Sequence, residues 1–194
     1  MPRKPRFFLA GVPVHIVQRG NNRQLIFFDT ADYRKYLGWL KEGSERYGCT
    51  IHAYVLMTNH VHLLATPGDA DAVSRMMQYV GRRYFQYINH AYGRSGTLWE
   101  SRFKSNAIAD DLHAVYRTQP GTGKMVEAPD DYPWSSYGSN GLGQKNNFIT
   151  PMANMKPWAQ TKRRVSRVTG RCLTLFLTQI AWLESGQPGR RECH

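Results

Sequence analysis

Cysteine is scarce in this sequence, and long apolar runs are absent. The three cysteines lie far apart and are odd in number, which argues against a disulfide framework and against a CxxC zinc site. Such cysteine usage fits a reducing cytoplasm. No uninterrupted apolar run approaches the roughly 18 residues of a membrane helix. The apolar run near the start ends at Gly11 and Pro13, so we interpret residues 1–11 as a basic arm and not as a signal peptide.

Acidic residues are also few: 14 Asp and Glu stand against 26 Lys and Arg in 194 residues, for a formal net charge of +12. Hydrophobic residues make up 41% and aromatic residues 12%, which is enough for a folded core. A basic, aromatic-rich domain is a candidate polyanion binder, with nucleic acid as the first expectation. A membrane surface is the weaker alternative, because no long basic amphipathic helix stands out.

Hydrophobic periodicity predicts a β-α-β-β-α-β order over residues 12–108. Strands are expected over residues 12–19, 50–57, 60–66 and 97–108, and helices over residues 29–48 and 69–92, with a short helix near residues 110–116. This order predicts the α+β class, a ferredoxin-like or RRM-like antiparallel sheet with helices on one face. We divide the chain into the arm, a main domain over residues 12–137 and a divergent basic extension over residues 138–194.

Two histidines in the pattern His60-Val61-His62 are the sharpest chemical feature. Alternate residues of a strand project to the same face, so the two imidazoles can converge on one divalent metal while Val61 enters the core. The alternative is an ordinary pair of half-exposed strand histidines. Cleavage of a phosphodiester would also need a nucleophile, for which tyrosine is a natural choice here. Eleven tyrosines leave that choice open.

Several segments together resemble the single-tyrosine HUH transposases of the IS200-like class, and most of all the REP-associated tyrosine transposases. The segments follow the order of that family and lie at residues 15–23, 47–49, 51–64, 81–84, 96–104 and 131–137. The resemblance implies an HUH endonuclease fold, with Mg²⁺ or Mn²⁺ bound by His60 and His62. It further implies a tyrosine, on a helix after the Arg102–Lys104 segment, that attacks single-stranded DNA beside a hairpin and forms a 5′-phosphotyrosine. The implied partner is palindromic hairpin DNA, and the implied assembly is a monomer or a homodimer.

The expected tyrosine helix departs from the family pattern. The chain offers Tyr116 as the nucleophile and Gln119 as a third metal ligand, one position closer together than the family spacing. Residues three apart still share a helix face. The alternative is that Tyr116 is a core aromatic that precedes a missing nucleophile. Internal deletions or a change of reading frame would explain both this shortening and the poor family match after residue 147.

Basic and amide side chains supply the candidate DNA contacts. They are Arg3, Lys4 and Arg6 of the arm, Arg19, Asn21, Asn22 and Arg23 at the first turn, Arg82 and Arg83 on the second helix, and Arg102 and Lys104. A solubilising terminus and a solvated helix face are the corresponding alternatives. We expect Trp99 to pack in the core, and His15 and His52 to be ordinary strand histidines in preference to groups behind the metal ligands.

These observations favour a metal-dependent DNA nickase and strand-transfer enzyme. The alternative is a catalytically degenerate protein that still binds DNA hairpins. A metal-dependent hydrolase of small phosphoesters is a third possibility, which the large basic excess disfavours.

Overall fold

A computed structural model of the chain describes residues 6, 8–107, 132–140 and 142–150. The elements run in the order β1 (Val14–Arg19), a 3₁₀ turn (Asn21–Arg23), α1 (Thr30–Tyr47), β2 (Cys49–Met57), β3 (His60–Pro67), α2 (Ala72–Ala91), β4 (Lys104–Ala107) and α3 (Tyr137–Asn140). The predicted β-α-β-β-α-β order is confirmed. The short helix expected near residues 110–116 lies outside the described residues.

The four strands form one antiparallel sheet in the order β2-β3-β1-β4. Because β1 and β2 are parallel with β3 between them, and β3 and β4 are parallel with β1 between them, each helix crosses over one strand. This is the ferredoxin-like α+β arrangement. The predicted fold class is therefore confirmed.

One face of the sheet carries α1 and α2 and forms the core, and we call it the covered face. Alternate residues of β1 and β3 point into this core, among them Val14, Ile16, Val61, Leu63 and Ala65. The remaining alternate residues lie on the opposite side, which we call the open face. Because side chains alternate along a strand, His15, Arg19, His60 and His62 share the open face.

Local signals in the sequence explain the ends of α1. The Asp29 side chain accepts from the backbone N–H of Ala31, and Asp32 returns a bond to the backbone N–H of Asp29 at 3.0 Å. This reciprocal pairing satisfies N–H groups that the first turn leaves without helical partners. Gly48 ends the helix with a left-handed conformation at φ 65°, which glycine adopts without the strain of a side chain.

The fourth strand is much shorter than predicted. We expected a strand over residues 97–108, but β4 spans Lys104–Ala107. Leu98 and Trp99 are adjacent in sequence and both turn inward, which breaks the two-residue period of a strand. The indole N–H of Trp99 donates to the carbonyl of Gly81 on α2 at 3.1 Å. This contact packs Trp99 against the core, as expected. The segment still meets the end of β1 through an isolated bridge between Trp99 and Gly20, and the regular pairing is interrupted between Trp99 and Lys104.

The last segment of the predicted main domain packs on the sheet, and so does Ile149 beyond its boundary. Leu56 donates its backbone N–H to Trp134, and Ser136 donates to Tyr54, so this segment runs along the free edge of β2. The Trp134 ring stacks on Tyr33 with centroids 4.5 Å apart. Ile149 is buried in the same core. None of the helices within the described ranges is long and apolar enough to cross a lipid bilayer.

Candidate metal and DNA site on the open face

The two histidines of the HxH pattern lie side by side on the open face of β3. Their ring centroids are 4.9 Å apart with planes at 69° to each other. Val61, between them, is fully buried on the covered face. The strand therefore does what its alternation predicts, and the two imidazoles are near enough to share one ion.

His60 is held in one orientation by Asn59, which directly precedes it. The Asn59 amide donates from Nδ2 to the Arg23 carbonyl at 3.1 Å, so its Oδ1 faces His60 Nδ1 at 2.5 Å. An amide oxygen only accepts, so Nδ1 of His60 carries the hydrogen. In the neutral ring, Nε2 is then the nitrogen with the lone pair that can ligate a metal.

His62 contacts a third histidine, His15 of β1. His15 Nε2 lies 3.0 Å from His62 Nδ1, and the two rings meet edge to edge, with centroids 5.3 Å apart and planes at 15° to each other. The pairing of β1 with β3 places His15 opposite Leu64 and His62 opposite Val17, so the two histidines are diagonal neighbours on one face. We expected His15 to be an ordinary strand histidine, but it lies directly behind His62.

Burial keeps this pair of histidines uncharged. It lowers the pKa of His15 to about 4. Burial also lowers the pKa of His62 well below its usual value, and the nearby His60, His15 and Arg19 lower it further. Both rings are therefore neutral near pH 7, which is the form in which imidazole binds metals.

His52, by contrast, is an ordinary strand histidine as expected. Its Nδ1 lies 2.7 Å from the Thr150 carbonyl oxygen, and its Nε2 lies 2.7 Å from the Thr66 hydroxyl. Both ring nitrogens thus contact neighbouring protein groups, on β3 and on the segment that follows α3. His52 has no role in the candidate site.

The donor chemistry suits a divalent cation with open positions. The Asn59 contact leaves Nε2 of His60 to ligate, and the His15 contact leaves Nε2 of His62 to ligate when His15 is the acceptor. Within the residues that the structure describes, no cluster of three or more His, Cys, Asp or Glu side chains could hold a metal. The predicted third ligand, Gln119, and the predicted nucleophile, Tyr116, both lie outside the described residues.

Two of the predicted DNA contacts flank the histidines on the open face. Arg19 lies directly opposite His60 in the β1–β3 pairing. Lys104 pairs with Val17, which in turn pairs with His62, so Lys104 is two strands away, at about 10 Å. These two cations give the open face a positive charge beside the candidate metal ligands.

The first turn brings three further predicted contacts to the end of this face. Asn21, Asn22 and Arg23 are exposed, and Asn22 and Arg23 have left-handed backbones with φ of 49° and 57°. Such a conformation is uncommon for a residue with a long side chain. The turn is fixed to the site, because the Arg23 carbonyl accepts from the Asn59 amide.

The remaining predicted contacts lie elsewhere. Arg82 and Arg83 are exposed on α2, which packs on the covered face, and the Arg83 guanidinium lies 4.6 Å from the centre of the Tyr79 ring. Arg6 lies over the Phe103 ring at 4.3 Å and donates to the Phe103 carbonyl, next to the start of β4. Arg102 is exposed next to it. Arg3 and Lys4 lie outside the described residues.

Comparison with known proteins agrees with this geometry. The family described as "Transposase IS200 like" matches residues 9–117, which is more than half of the chain. The chain belongs to this family. Among curated proteins, none matches the sequence.

One solved structure shows the same fold, and two others match less well. A REP-associated tyrosine transposase, solved bound to a REP hairpin, is 21% identical with a TM-score of 0.60, covering 80% of this chain and 98% of that chain. A candidate transposase from Deinococcus radiodurans R1 is also 21% identical, with a TM-score of 0.44 over 59% of this chain and 92% of that chain. A bacterial tRNA(His) guanylyltransferase-like protein with GTP is 11% identical, with a TM-score of 0.43 over 64% and 69% of the two chains. We base the fold comparison on the first of these alone.

Proposed function

We propose that this IS200-like family member is a metal-dependent transposase of the REP-associated type. It would nick single-stranded DNA beside a palindromic hairpin and rejoin it, using His60 and His62 as metal ligands and Tyr116 as the nucleophile. The observation that carries this proposal is the pair of adjacent imidazoles on the open face, each with Nδ1 against a protein partner. The solved relative, which was bound to a REP hairpin, supports the choice of hairpin DNA.

A bound divalent ion would draw electron density from the scissile phosphate and stabilise the charge that develops during displacement. The chain's own groups supply the rest. His60 and His62 hold the site through Nε2, with Gln119 as the expected third ligand. Arg19 and Lys104 attract the DNA backbone to the open face. Two imidazoles are softer ligands than the oxygens that Mg²⁺ prefers, so we expect Mn²⁺ to bind more tightly than Mg²⁺.

The reaction is a displacement at phosphorus, which moves the phosphate from the 3′ oxygen to tyrosine. The Tyr116 hydroxyl oxygen forms a bond to phosphorus and loses its proton, while the bond from phosphorus to the 3′ oxygen breaks. That oxygen takes up a proton and leaves as a free 3′-OH, and the 5′ phosphate stays on tyrosine. The ester conserves the bond, so that a 3′-OH can later attack it and rejoin the DNA without an external energy source.

The deciding experiment is to trap this ester. Full-length protein is incubated with a hairpin oligonucleotide labelled on the 5′-phosphate side of the cut, with Mn²⁺ or Mg²⁺, and is then separated under denaturing conditions. We expect a labelled protein band that disappears with EDTA and in Tyr116→Phe, and that persists in the control Tyr47→Phe. A linear oligonucleotide of the same composition should give a much weaker band.

Three other outcomes would change the proposal. An adduct that survives in Tyr116→Phe would assign the nucleophile to another tyrosine. Tight, salt-sensitive hairpin binding with no adduct in either metal would support the alternative of a degenerate hairpin-binding protein. A failure to bind the hairpin at all would reject both functions.

A further inference from the structure

We propose that His15 and Asn59 are positioning residues, which hold His62 and His60 with their Nε2 atoms directed at one ion. This inference deepens the proposed metal site and rests on it. The contacts that carry it are the 3.0 Å approach of His15 Nε2 to His62 Nδ1 and the 2.5 Å approach of Asn59 Oδ1 to His60 Nδ1.

The hydrogen bonds of Asn59 allow one assignment of donors and acceptors. Its Nδ2 must donate to the Arg23 carbonyl, because a carbonyl oxygen only accepts. Its Oδ1 therefore accepts from His60, and His60 has its hydrogen on Nδ1. The backbone around Asn59 is held as well, since its carbonyl accepts from the Gly20 N–H at 2.9 Å. The amide thus fixes both the tautomer and the direction of the His60 ring.

The hydrogen bond between His15 and His62 can run in either direction, and metal binding selects one of the two. If His15 Nε2 donates to His62 Nδ1, neutral His62 has its hydrogen on Nε2 and cannot ligate there. If His62 Nδ1 donates to His15 Nε2, the lone pair of His62 lies on Nε2. The ligating state therefore requires His15 to accept, with its own hydrogen on Nδ1. The two ring planes are only 15° apart and the rings meet edge to edge, so this in-plane hydrogen bond also restrains the direction of the His62 ring.

Affinity for the metal alone tests this arrangement without depending on DNA cleavage. The experiment titrates Mn²⁺ into full-length, metal-free protein by calorimetry. His15→Phe keeps an aromatic ring but removes the acceptor, and Asn59→Ala removes the other acceptor. Each should weaken Mn²⁺ binding by about 10- to 100-fold, the usual effect of losing a partner behind a metal-binding histidine.

Matched variants separate positioning from general damage. His15→Gln keeps an oxygen that can accept from the imidazole, so it should recover most of the lost affinity. Asn59→Asp keeps the acceptor for His60 but loses the donor to the Arg23 carbonyl, so it should recover part of the lost affinity. His90→Gln removes an exposed histidine of α2 and should leave Mn²⁺ binding unchanged. Thermal unfolding of each variant would show that the fold is retained.

A second readout needs no substitution. Long-range ¹H–¹⁵N spectra of wild-type protein saturated with Mg²⁺ should show His60 and His62 with hydrogen on Nδ1 and none on Nε2. Hydrogen on Nε2 of either ring would overturn the assignment. If His15→Phe and Asn59→Ala both bind Mn²⁺ as tightly as the wild type, the positioning roles are rejected, while the proposed metal site is not. No metal binding by wild-type protein would reject the proposed metal site together with this inference.

Discussion

The two faces of one sheet carry different side chains around the HxH pattern. Leu63 points into the core, and His62, one residue before it on the same strand, lies on the open face beside His15 and His60. The covered face consists mainly of apolar groups held between the sheet and two helices. Neighbouring residues of β3 therefore have different roles: Leu63 stabilises the core, and His62 belongs to the candidate metal site. Substitutions on the two faces should have different consequences.

The largest expected contrast is between His62→Ala and Leu63→Ala. Leu63 is fully buried, so its truncation should lower the free energy of unfolding by about 2–5 kcal/mol. It should leave Mn²⁺ affinity near wild type under conditions where the protein stays folded. His62→Ala should abolish detectable Mn²⁺ binding with a smaller loss of stability. Urea unfolding and calorimetry measure the two effects. Equal losses of stability in both variants, with metal binding retained in both, would remove the distinction between the faces.

A buried carboxylate provides the next test, on the covered side. Asp32 is fully buried and accepts from the backbone N–H groups of Phe28 and Asp29 and from the hydroxyls of Tyr87 and Tyr92. Asp32→Asn turns one acceptor into a donor that faces other donors, so we expect a loss of about 2–4 kcal/mol in stability.

Tyr87→Phe is the matched control for Asp32→Asn, since it removes one donor and leaves the carboxylate in place. It should cost about 1 kcal/mol. Mn²⁺ affinity should be unchanged in both variants. A stability loss in Asp32→Asn no greater than that of Tyr87→Phe would show that the buried charge does not join α1 to α2.

Alanine substitutions at two glycines, one beside the site and one in α1, should change stability by smaller amounts and in opposite directions. A Cβ on Gly20 would lie 2.4 Å from the Gln24 backbone oxygen and 2.7 Å from Ile26 Cγ2. We expect Gly20→Ala to cost about 1–3 kcal/mol, and to weaken Mn²⁺ binding by displacing Asn59. Gly38 of α1 has open space around it, so Gly38→Ala should stabilise the protein by about 0.5–1 kcal/mol. If the melting temperatures of both variants rise or both fall, the expected difference in space around Gly20 and Gly38 is contradicted.

The smallest effect concerns charge on the open face. Arg19→Gln should weaken hairpin binding and reduce the slope of log affinity against log salt by about 1, as expected for one lost phosphate contact. Lys35→Gln, on the exposed side of α1, is the control and should leave the slope unchanged. Binding assays between low and moderate salt measure both slopes. Identical slopes for the two variants would place the DNA elsewhere than on the open face.

Much of the fold was predictable from local pattern. The alternation of β3 predicted both the shared face of His60 and His62 and the burial of Val61. Asp29 and Gly48 marked the ends of α1 correctly. The strand expected over residues 97–108 was wrong in most of its length. Val17 pairs with Lys104 but Gly20 pairs with Trp99, so extra residues interrupt the ladder between these two contacts.

The parts of the candidate site that could not be predicted depend on long-range pairing. The contact between His15 and His62 follows from the register of β1 against β3, which no local pattern reveals. The buried cluster around Asp32 joins residues 55 and 60 apart in sequence. Asn59 lies between the two strands predicted over residues 50–57 and 60–66, and its place directly before His60 was a usable signal.

Anomalous diffraction from crystals of the full-length protein grown with Mn²⁺ tests the central claim most directly. The account predicts a peak at the manganese edge about 2.0–2.3 Å from Nε2 of both His60 and His62. It also predicts that His15 and Asn59 remain behind the two rings. A peak away from these atoms, or no peak in crystals with the open face accessible to solvent, would contradict it.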